Sequence, residues 1–473
     1  MDIPPTGWIL LLLGIGCFLL APESLYPLTV FFLPFSATAV VNIGSADSAS
    51  GVQASMLFGT LWMLKEISSF GGRLHMSYRQ LSTPVRQLGM FFMVACLSLL
   101  VPLWISGQMV IESPELGNSG SVLLQFSVKH VTQTIYLLYG ILLAIFVAAR
   151  NIHLSHLLQS AKIFLISALF VSLWGFFQFF CKILGIEYPA YIFNTSATES
   201  ASGYAQVLRE LGVSRISSVA TEPSMFAQSV LIALVIALFA VIGKQPLISK
   251  AWDRFALAII LGALVLSTST TAYGGLLFVA VLYVSALVYL RMLHARYVLP
   301  FFLVPGLLLY AYSAYPPVRA VFESMILGKG ESYSALARIN SVMLARDYFF
   351  QYPILGLGWG SVSSHDLVSK LLSNTGLMGL CAFSLFLLTL VTRLWRTARS
   401  VELSSAKSIQ WPVCVLAMLL TLIFTNAIGD FAFSYGHVWF VFGLAISVPA
   451  LGSATGLGAI STHNPNLQTR TAE

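Results

Sequence analysis

Apolar residues in this chain come in long unbroken runs, not in the stripes of water-facing helices or the alternation of half-buried strands. Leu88 to Gly107, Ile163 to Gly185 and Trp411 to Ile428 are three of them. Each is close to the ~20 residues that carry a helix across the hydrocarbon layer. Backbone amides in lipid have no water to bond, so such runs satisfy themselves as helices, and the dyad pattern of a lipid-facing barrel is absent. The pattern predicts spans over about 8–20, 25–42, 52–67, 88–107, 131–149, 161–184, 224–243, 253–269, 273–291, 297–314, 374–394, 411–428 and 435–452. The expected fold is all-α: a polytopic transmembrane helix bundle of about thirteen spans, or about twelve if Ala21-Pro22-Glu23-Ser24 interrupts one broken element.

Composition agrees. Of 473 residues, 57% are hydrophobic and 9% charged, where a soluble chain carries roughly a quarter charged. The five cysteines, Cys17, Cys96, Cys181, Cys381 and Cys414, lie in or at the ends of apolar runs, with no disulfide framework or metal-binding spacing among them. Met1 to Gly7 has no basic stretch, and no small-residue cleavage pattern follows the first apolar run, so no removable signal peptide is expected.

The net charge of +7 is spread over short loops, which argues against a nucleic-acid partner and for a topological role. Cytoplasmic loops retain Lys and Arg. One alternating set of loops holds Lys65, Arg73, Arg79, Arg86, Arg150, Lys162, Lys244, Lys250, Arg254, Arg291, Arg296, Arg393, Arg396, Arg399 and Lys407, with Arg470 in the tail. With its five acids that set carries +11 and the other side −4, which together make the +7. The basic set is assigned to the cytoplasm. Residues 1–452 then form a single transmembrane domain with two long outside loops, about 185–223 and 315–373, and 453–473 form a Gly/Ser/Thr/Asn-rich tail expected to be disordered in the cytoplasm. Both loops are rich in aromatic residues, and short amphipathic helices lying on the membrane surface are expected in them.

The outside loops carry the candidate chemistry. Arg215-Ile-Ser-Ser-Val-Ala-Thr-Glu222-Pro223-Ser224 runs straight into a span. Proline suits a first helical position, so Glu222 and Ser224 sit beside the positive end of a helix dipole. The plain alternative is that Glu222 only caps the helix and Arg215 snorkels to lipid headgroups. Arg338 and Arg346 are eight residues apart, within one broad helical stripe, and two planar guanidinium forks suit a diphosphate. Lipid phosphate at the interface is the competing partner. Gly356-x-Gly358-x-Gly360 lacks the spacing of a dinucleotide fingerprint and reads as a turn that lets backbone approach a substrate. His365 lies just beyond, and imidazole can take a proton near neutral pH. No P-loop and no HExxH helix is present, and neither a cofactor nor a metal is expected.

The order of these pieces is distinctive. Arg215, Thr221-Glu222-Pro223-Ser224, Leu266-Ser267-Thr268-Ser269, Ser334, Arg338, Pro353, the glycine run, His365-Asp366, Leu371-Leu372-x-x-Thr375-Gly376 and Gly379 together resemble the O-antigen ligase and O-antigen and exopolysaccharide polymerase superfamily over most of residues 200–380. The resemblance implies a GT-C-type glycosyltransferase of the bacterial inner (cytoplasmic) membrane. Such an enzyme takes glycan from an undecaprenyl-diphosphate carrier on the periplasmic face, its large periplasmic loop corresponding to 315–373. His365-Asp366 with Gly376 resembles the family's His-Asn and following glycine. Asp366 stands where asparagine is usual, Thr270 where many members have arginine, and Ser369 where leucine is usual. The Glu-Pro-Ser segment is more similar to the polymerase branch than to the ligases.

Activated donors such as sugar nucleotides are cytoplasmic, so a transferase on the far side needs a donor activated by its own lipid diphosphate. The expected mechanism is metal-independent and inverting. Arg215, Arg338 and Arg346 hold the diphosphate, His365 takes the proton of the attacking sugar hydroxyl, and Glu222 is the alternative base or orients it. Gly356, Gly358, Gly360 and Asp366 are expected to line the substrate. Expected partners are the lipid-linked glycan, membrane lipids and a chain-length regulator or other polysaccharide assembly proteins. An O-antigen ligase acting on lipid A core is the alternative within the enzyme class. A lipid-linked glycan transporter or flippase is the second, although the spans lack the mid-membrane charges and repeat symmetry that transporters show.

Overall fold

A computed structural model describes residues 2–43, 50–69, 78–112, 121–197, 207–208, 213–243, 246–316, 319, 323, 333–400, 406–429 and 433–461. It is mostly helical. The helices in chain order are α1 (Pro5–Leu20), α2 (Leu25–Phe31), α3 (Ala54–Ser69), α4 (Tyr78–Ser98), α5 (Leu100–Trp104), α6 (Val128–Arg150), α7 (Leu154–Leu184) and α8 (Ala190–Phe193). There follow α9 (Pro223–Ile242), α10 (Lys250–Leu266), α11 (Thr270–Tyr289), α12 (Ala295–Ala314), α13 (Tyr333–Gln351), α14 (Leu367–Ser400), α15 (Ala406–Ile428) and α16 (Gly436–Ser461). Among the described residues, seven helical segments are long and apolar enough to cross a membrane, and α1 and the start of α16 are shorter apolar helices. Three two-stranded hairpins qualify the all-α expectation: β1 (Ala39–Ile43) with β2 (Ser50–Gln53), β3 (Val110–Ile111) with β4 (Val122–Leu123), and β5 (Val207–Leu208) with β6 (Val213–Ser214).

Helix α9 is the centre of the bundle, with 94% of its apolar window buried and α7, α10, α11 and α15 packed around it. Outer helices of the bundle show their apolar side chains to the outside, as lipid-facing helices do. Val128, Val131, Ile135 and Leu138 form such an exposed stripe on α6.

The expected span 25–42 does not form. Helix α2 stops at Phe31, and the chain turns through Phe32–Phe35 into β1. Pro34 lacks an N–H and disfavours helical geometry at Leu33, which accounts for the stop. The run is apolar because it is buried as irregular backbone: Leu33, Phe35, Ala37 and Thr38 are all inaccessible. The expected tail is also corrected in part. Helix α16 continues through 453–461, because adding residues to a helix already nucleated costs far less than starting one. Residues 462–473 lie outside the described residues, as do 198–206 and 209–212 of the first long loop and 324–332 of the second.

A glycine-dependent junction fixes the start of α14. Gly376 breaks that helix with φ 63° and ψ −162°, a region that only glycine occupies comfortably. The break frees two amides, so Leu377 N–H donates to the Pro353 carbonyl at 2.9 Å and Met378 N–H to Ile354 at 3.3 Å. A Cβ on Gly376 would lie 2.3 Å from the Ile354 carbonyl oxygen. Asn374 closes the junction: its Oδ1 accepts from the Gly360 and Val362 amides at 3.1 Å each, and its Nδ2 donates to the Val362 carbonyl at 2.9 Å.

Gly376→Ala should therefore lower the thermal midpoint of the detergent-solubilised protein by several degrees and broaden its size-exclusion peak, the backbone strain alone costing about 1–3 kcal/mol. Gly16→Ala, inside α1 with nothing within 4 Å of the added methyl, should keep the peak shape and hold or raise the midpoint, alanine being the better helix former.

Candidate functional site

The segment 215–222 reaches α9 as buried non-helical chain. Ile216, Ser217, Ser218 and Val219 are each 0% exposed. Buried backbone must find partners, and α7 supplies one: Gln178 Oε1 accepts from the Ser217 amide at 3.1 Å and the Ser218 amide at 2.8 Å. Ser218 has φ 54°. Its hydroxyl donates to the Val171 carbonyl, and its own carbonyl accepts from Asn194 Nδ2 at 3.0 Å. The turn after α2 holds the other side, with the Ala37 amide donating to the Val219 carbonyl at 3.0 Å and the Thr221 amide to Ser36 Oγ at 3.3 Å.

This scaffold delivers Arg215 and Glu222 to one end of the bundle. Burial pushes the Arg215 guanidinium below its ordinary range; the Glu222 carboxylate pulls it back up, the Arg338 guanidinium pushes it down and the Tyr273 phenol raises it. The Glu222, Arg338 and Tyr273 side chains thus lie within electrostatic reach of Arg215. Glu222 is the residue before α9, yet its side chain makes no capping bond to the helix backbone. Its Oε2 instead accepts from Ser224 Oγ at 3.0 Å, leaving the carboxylate directed at side chains and not at the helix end.

Helix α13 brings Arg338 from the second long loop. Ser341, one turn further on, donates from Oγ to the Arg338 carbonyl at 2.8 Å and accepts from the His365 amide at 3.4 Å. His365 is therefore tied to α13 beside Arg338. Its side chain is half-buried.

Arg346 is not brought to this group. Eight helical residues advance about 12 Å and rotate about 80°, and Arg346 points to solvent in an ion pair with Asp347 at 2.9 Å, the two side chains 61% and 55% exposed. Asp366 acts as the N-cap of α14: its Oδ1 accepts from the Ser369 amide at 2.8 Å. Aspartate and asparagine cap helices about equally well, so the departure from asparagine costs the fold nothing. Gly356, Gly358 and Gly360 all have positive φ, but the backbone they let approach is the protein's own. A Cβ on Gly356 would meet Asn374 and Thr375 backbone at 2.6–2.7 Å, one on Gly358 would meet Pro102 at 2.6 Å, and one on Gly360 would meet Gln133 at 3.0 Å.

Tyr273 and Gln178 are the additions that the sequence did not single out. Tyr273 follows the Ser267–Thr271 hydroxyl run and donates to the Val265 carbonyl at 2.9 Å, bracing the α10–α11 turn where Thr268 has φ 47°. Gln178 is an amide inside an apolar run, a polar exception in a span that could have marked it.

Asp366→Ala should destabilise the protein by about 1 kcal/mol through loss of the cap, whereas Asp366→Asn should stay within a few tenths; thermal midpoints of the two variants in one detergent check this. No protein-family model matches this chain, and no curated protein is significantly similar to it.

Proposed function

We infer that the chain is a membrane glycosyltransferase that elongates a polysaccharide, taking glycan from an undecaprenyl-diphosphate carrier at the end of the bundle where Arg215 lies. The observation that carries this reading is that Glu222, seven residues on, and Arg338, from a distant helix, lie within electrostatic reach of the partly buried Arg215. Two guanidiniums within electrostatic reach of each other repel, and the Glu222 carboxylate acts against that repulsion. A dianionic diphosphate would favour the same pair. The loop asymmetry of basic residues supports a periplasmic location for this end.

In the proposed reaction the acceptor sugar hydroxyl attacks the anomeric carbon of the donor. The bond from that carbon to the diphosphate oxygen breaks, and the configuration inverts. His365 takes the hydroxyl proton on its imidazole. The electron pair leaves with the lipid diphosphate, whose growing charge Arg215 and Arg338 stabilise. Glu222 orients Arg215 by facing it. Arg346, paired with Asp347, is left out of the clamp.

Purified protein given lipid-diphosphate repeat units should form longer lipid-linked chains. Arg338→Ala and His365→Ala should each slow elongation by about 100-fold or more with unchanged amounts in the membrane; near-normal chain lengths would remove the assignment. Adding lipid A core separates the neighbouring activity, since transfer to core with no chain growth would make the protein a ligase.

A further inference from the structure

Helices α9 and α11 pack side by side, both starting at the end of the bundle where Arg215 lies, and α15 packs against both. A Cβ on Gly275 of α11 would meet Leu231 of α9 at 2.2 Å. One turn nearer the helix starts, Gln228 Nε2 of α9 and Thr271 Oγ1 of α11 each lie 3.3 Å from where a Cβ on Gly429 would stand, just past the end of α15. Three helices thus bring polar groups to one buried place. Gln228, Thr271 and Asn426, in the last turn of α15, are each 1% exposed. Gln228 is ~9 Å along α9 from Glu222, and Tyr273, two residues past Thr271, is within electrostatic reach of Arg215.

Hydrogen bonding in this cluster is incomplete. Asn426 Nδ2 donates to the Leu422 carbonyl at 2.7 Å, which leaves Oδ1 as the end of the amide with capacity to spare. Among the described residues neither Asn426 Oδ1 nor Thr271 Oγ1 has a hydrogen-bond partner, and both atoms are shut off from water. Ser269, at the start of α11, makes no side-chain capping bond either. A buried polar atom left unsatisfied costs stability, and folded proteins keep few of them. Apolar residues of the same size would pack this junction without that cost, so the polar set points to a ligand.

The chemistry narrows what the ligand is. An anion only accepts hydrogen bonds and would leave the Asn426 oxygen without a donor, and a cation would face the positive end of α11. A sugar hydroxyl both gives and takes a hydrogen bond, so it can satisfy an amide oxygen, a threonine hydroxyl and an amide N–H together. We propose that Thr271, Asn426 and Gln228 form a specificity-determining subsite for the donor sugar, the ring next to the diphosphate, and read its hydroxyls. The inference rests on the glycan-transfer reading and adds what holds the transferred ring. The ring enters as the end of α15 yields at Gly429: helix ends open at low cost, and here the incoming hydroxyls satisfy atoms that the closed state leaves without partners.

The test is direct binding, which needs no turnover. Full-length protein in phosphatidylcholine nanodiscs is titrated with farnesyl diphosphate and with its glucosyl, galactosyl and N-acetylglucosaminyl esters. The wild type should bind at least one sugar ester tenfold or more tightly than farnesyl diphosphate. Thr271→Val and Asn426→Leu should each cut that preference by about threefold or more, the share of one neutral hydrogen bond, with binding of farnesyl diphosphate unchanged. Without ligand, Thr271→Val should hold or raise the thermal midpoint, because it removes an unsatisfied buried hydroxyl. Sugar esters that bind no better than farnesyl diphosphate, or a preference that survives in both variants, overturn the proposal. So does a ligand-free Thr271→Val protein that is less stable than the wild type, which would give the hydroxyl a purely structural bond. A wild type that elongates lipid-linked repeats but shows no sugar preference defeats this inference alone; a preference that depends on Thr271 and Asn426 without elongation defeats the transfer reading alone.

Discussion

Everything at the candidate site depends on one constraint: irregular backbone inside an apolar bundle must find hydrogen-bond partners within the protein. The segment from Arg215 to Glu222 is such backbone, and one amide oxygen, Gln178 Oε1 on α7, accepts from two of its successive N–H groups. The Ser36–Ala37 turn accepts and donates on the opposite side. With those bonds in place the chain can enter the bundle, turn at Ser218 and restart as α9 at Pro223. Arg215 and Glu222 are thereby carried to the same place by two ends of one short segment.

The second constraint is electrostatic. Arg338 arrives on α13 from more than a hundred residues away, and Ser341 joins its helix to His365. Arg338 thereby comes within electrostatic reach of Arg215, a like charge from a distant part of the chain. Exposed cations at the same end behave differently: Arg346 is neutralised by its neighbour Asp347. The contrast is between a surface arginine paired with its neighbour and two arginines within electrostatic reach of each other, the arrangement a diphosphate site would need.

The helical part of the fold was legible because each span is long, apolar and separate, so length and composition decide it. The 25–42 run shows the limit of that signal. Buried irregular chain is as apolar as a span, and only Pro34 distinguished the two. Arg215, Glu222, Arg338 and His365 could be named because charged residues stand out in such a chain. Their convergence could not, since it depends on Gln178, Ser341 and the positive φ at Ser218, none of which has a sequence signature at a distance. The glycine run was ambiguous for a related reason. Its spacing announces close approach but not of what, and here Gly356 lies against the Ser373–Thr375 backbone of α14, Gly358 against Pro102 and Gly360 against Gln133. The same holds for Asp366, where a residue carried over as substrate-facing has a sufficient role as a helix cap.

The central claim is that Arg215 and Arg338 clasp a diphosphate beside His365. A cryo-electron microscopy structure of the protein bound to a lipid-diphosphate glycan tests it most directly. Phosphate density within hydrogen-bond distance of both guanidiniums, with the anomeric carbon on the His365 side, is the expected result. Phosphates held elsewhere in the protein, away from Arg215 and Arg338, would contradict the account.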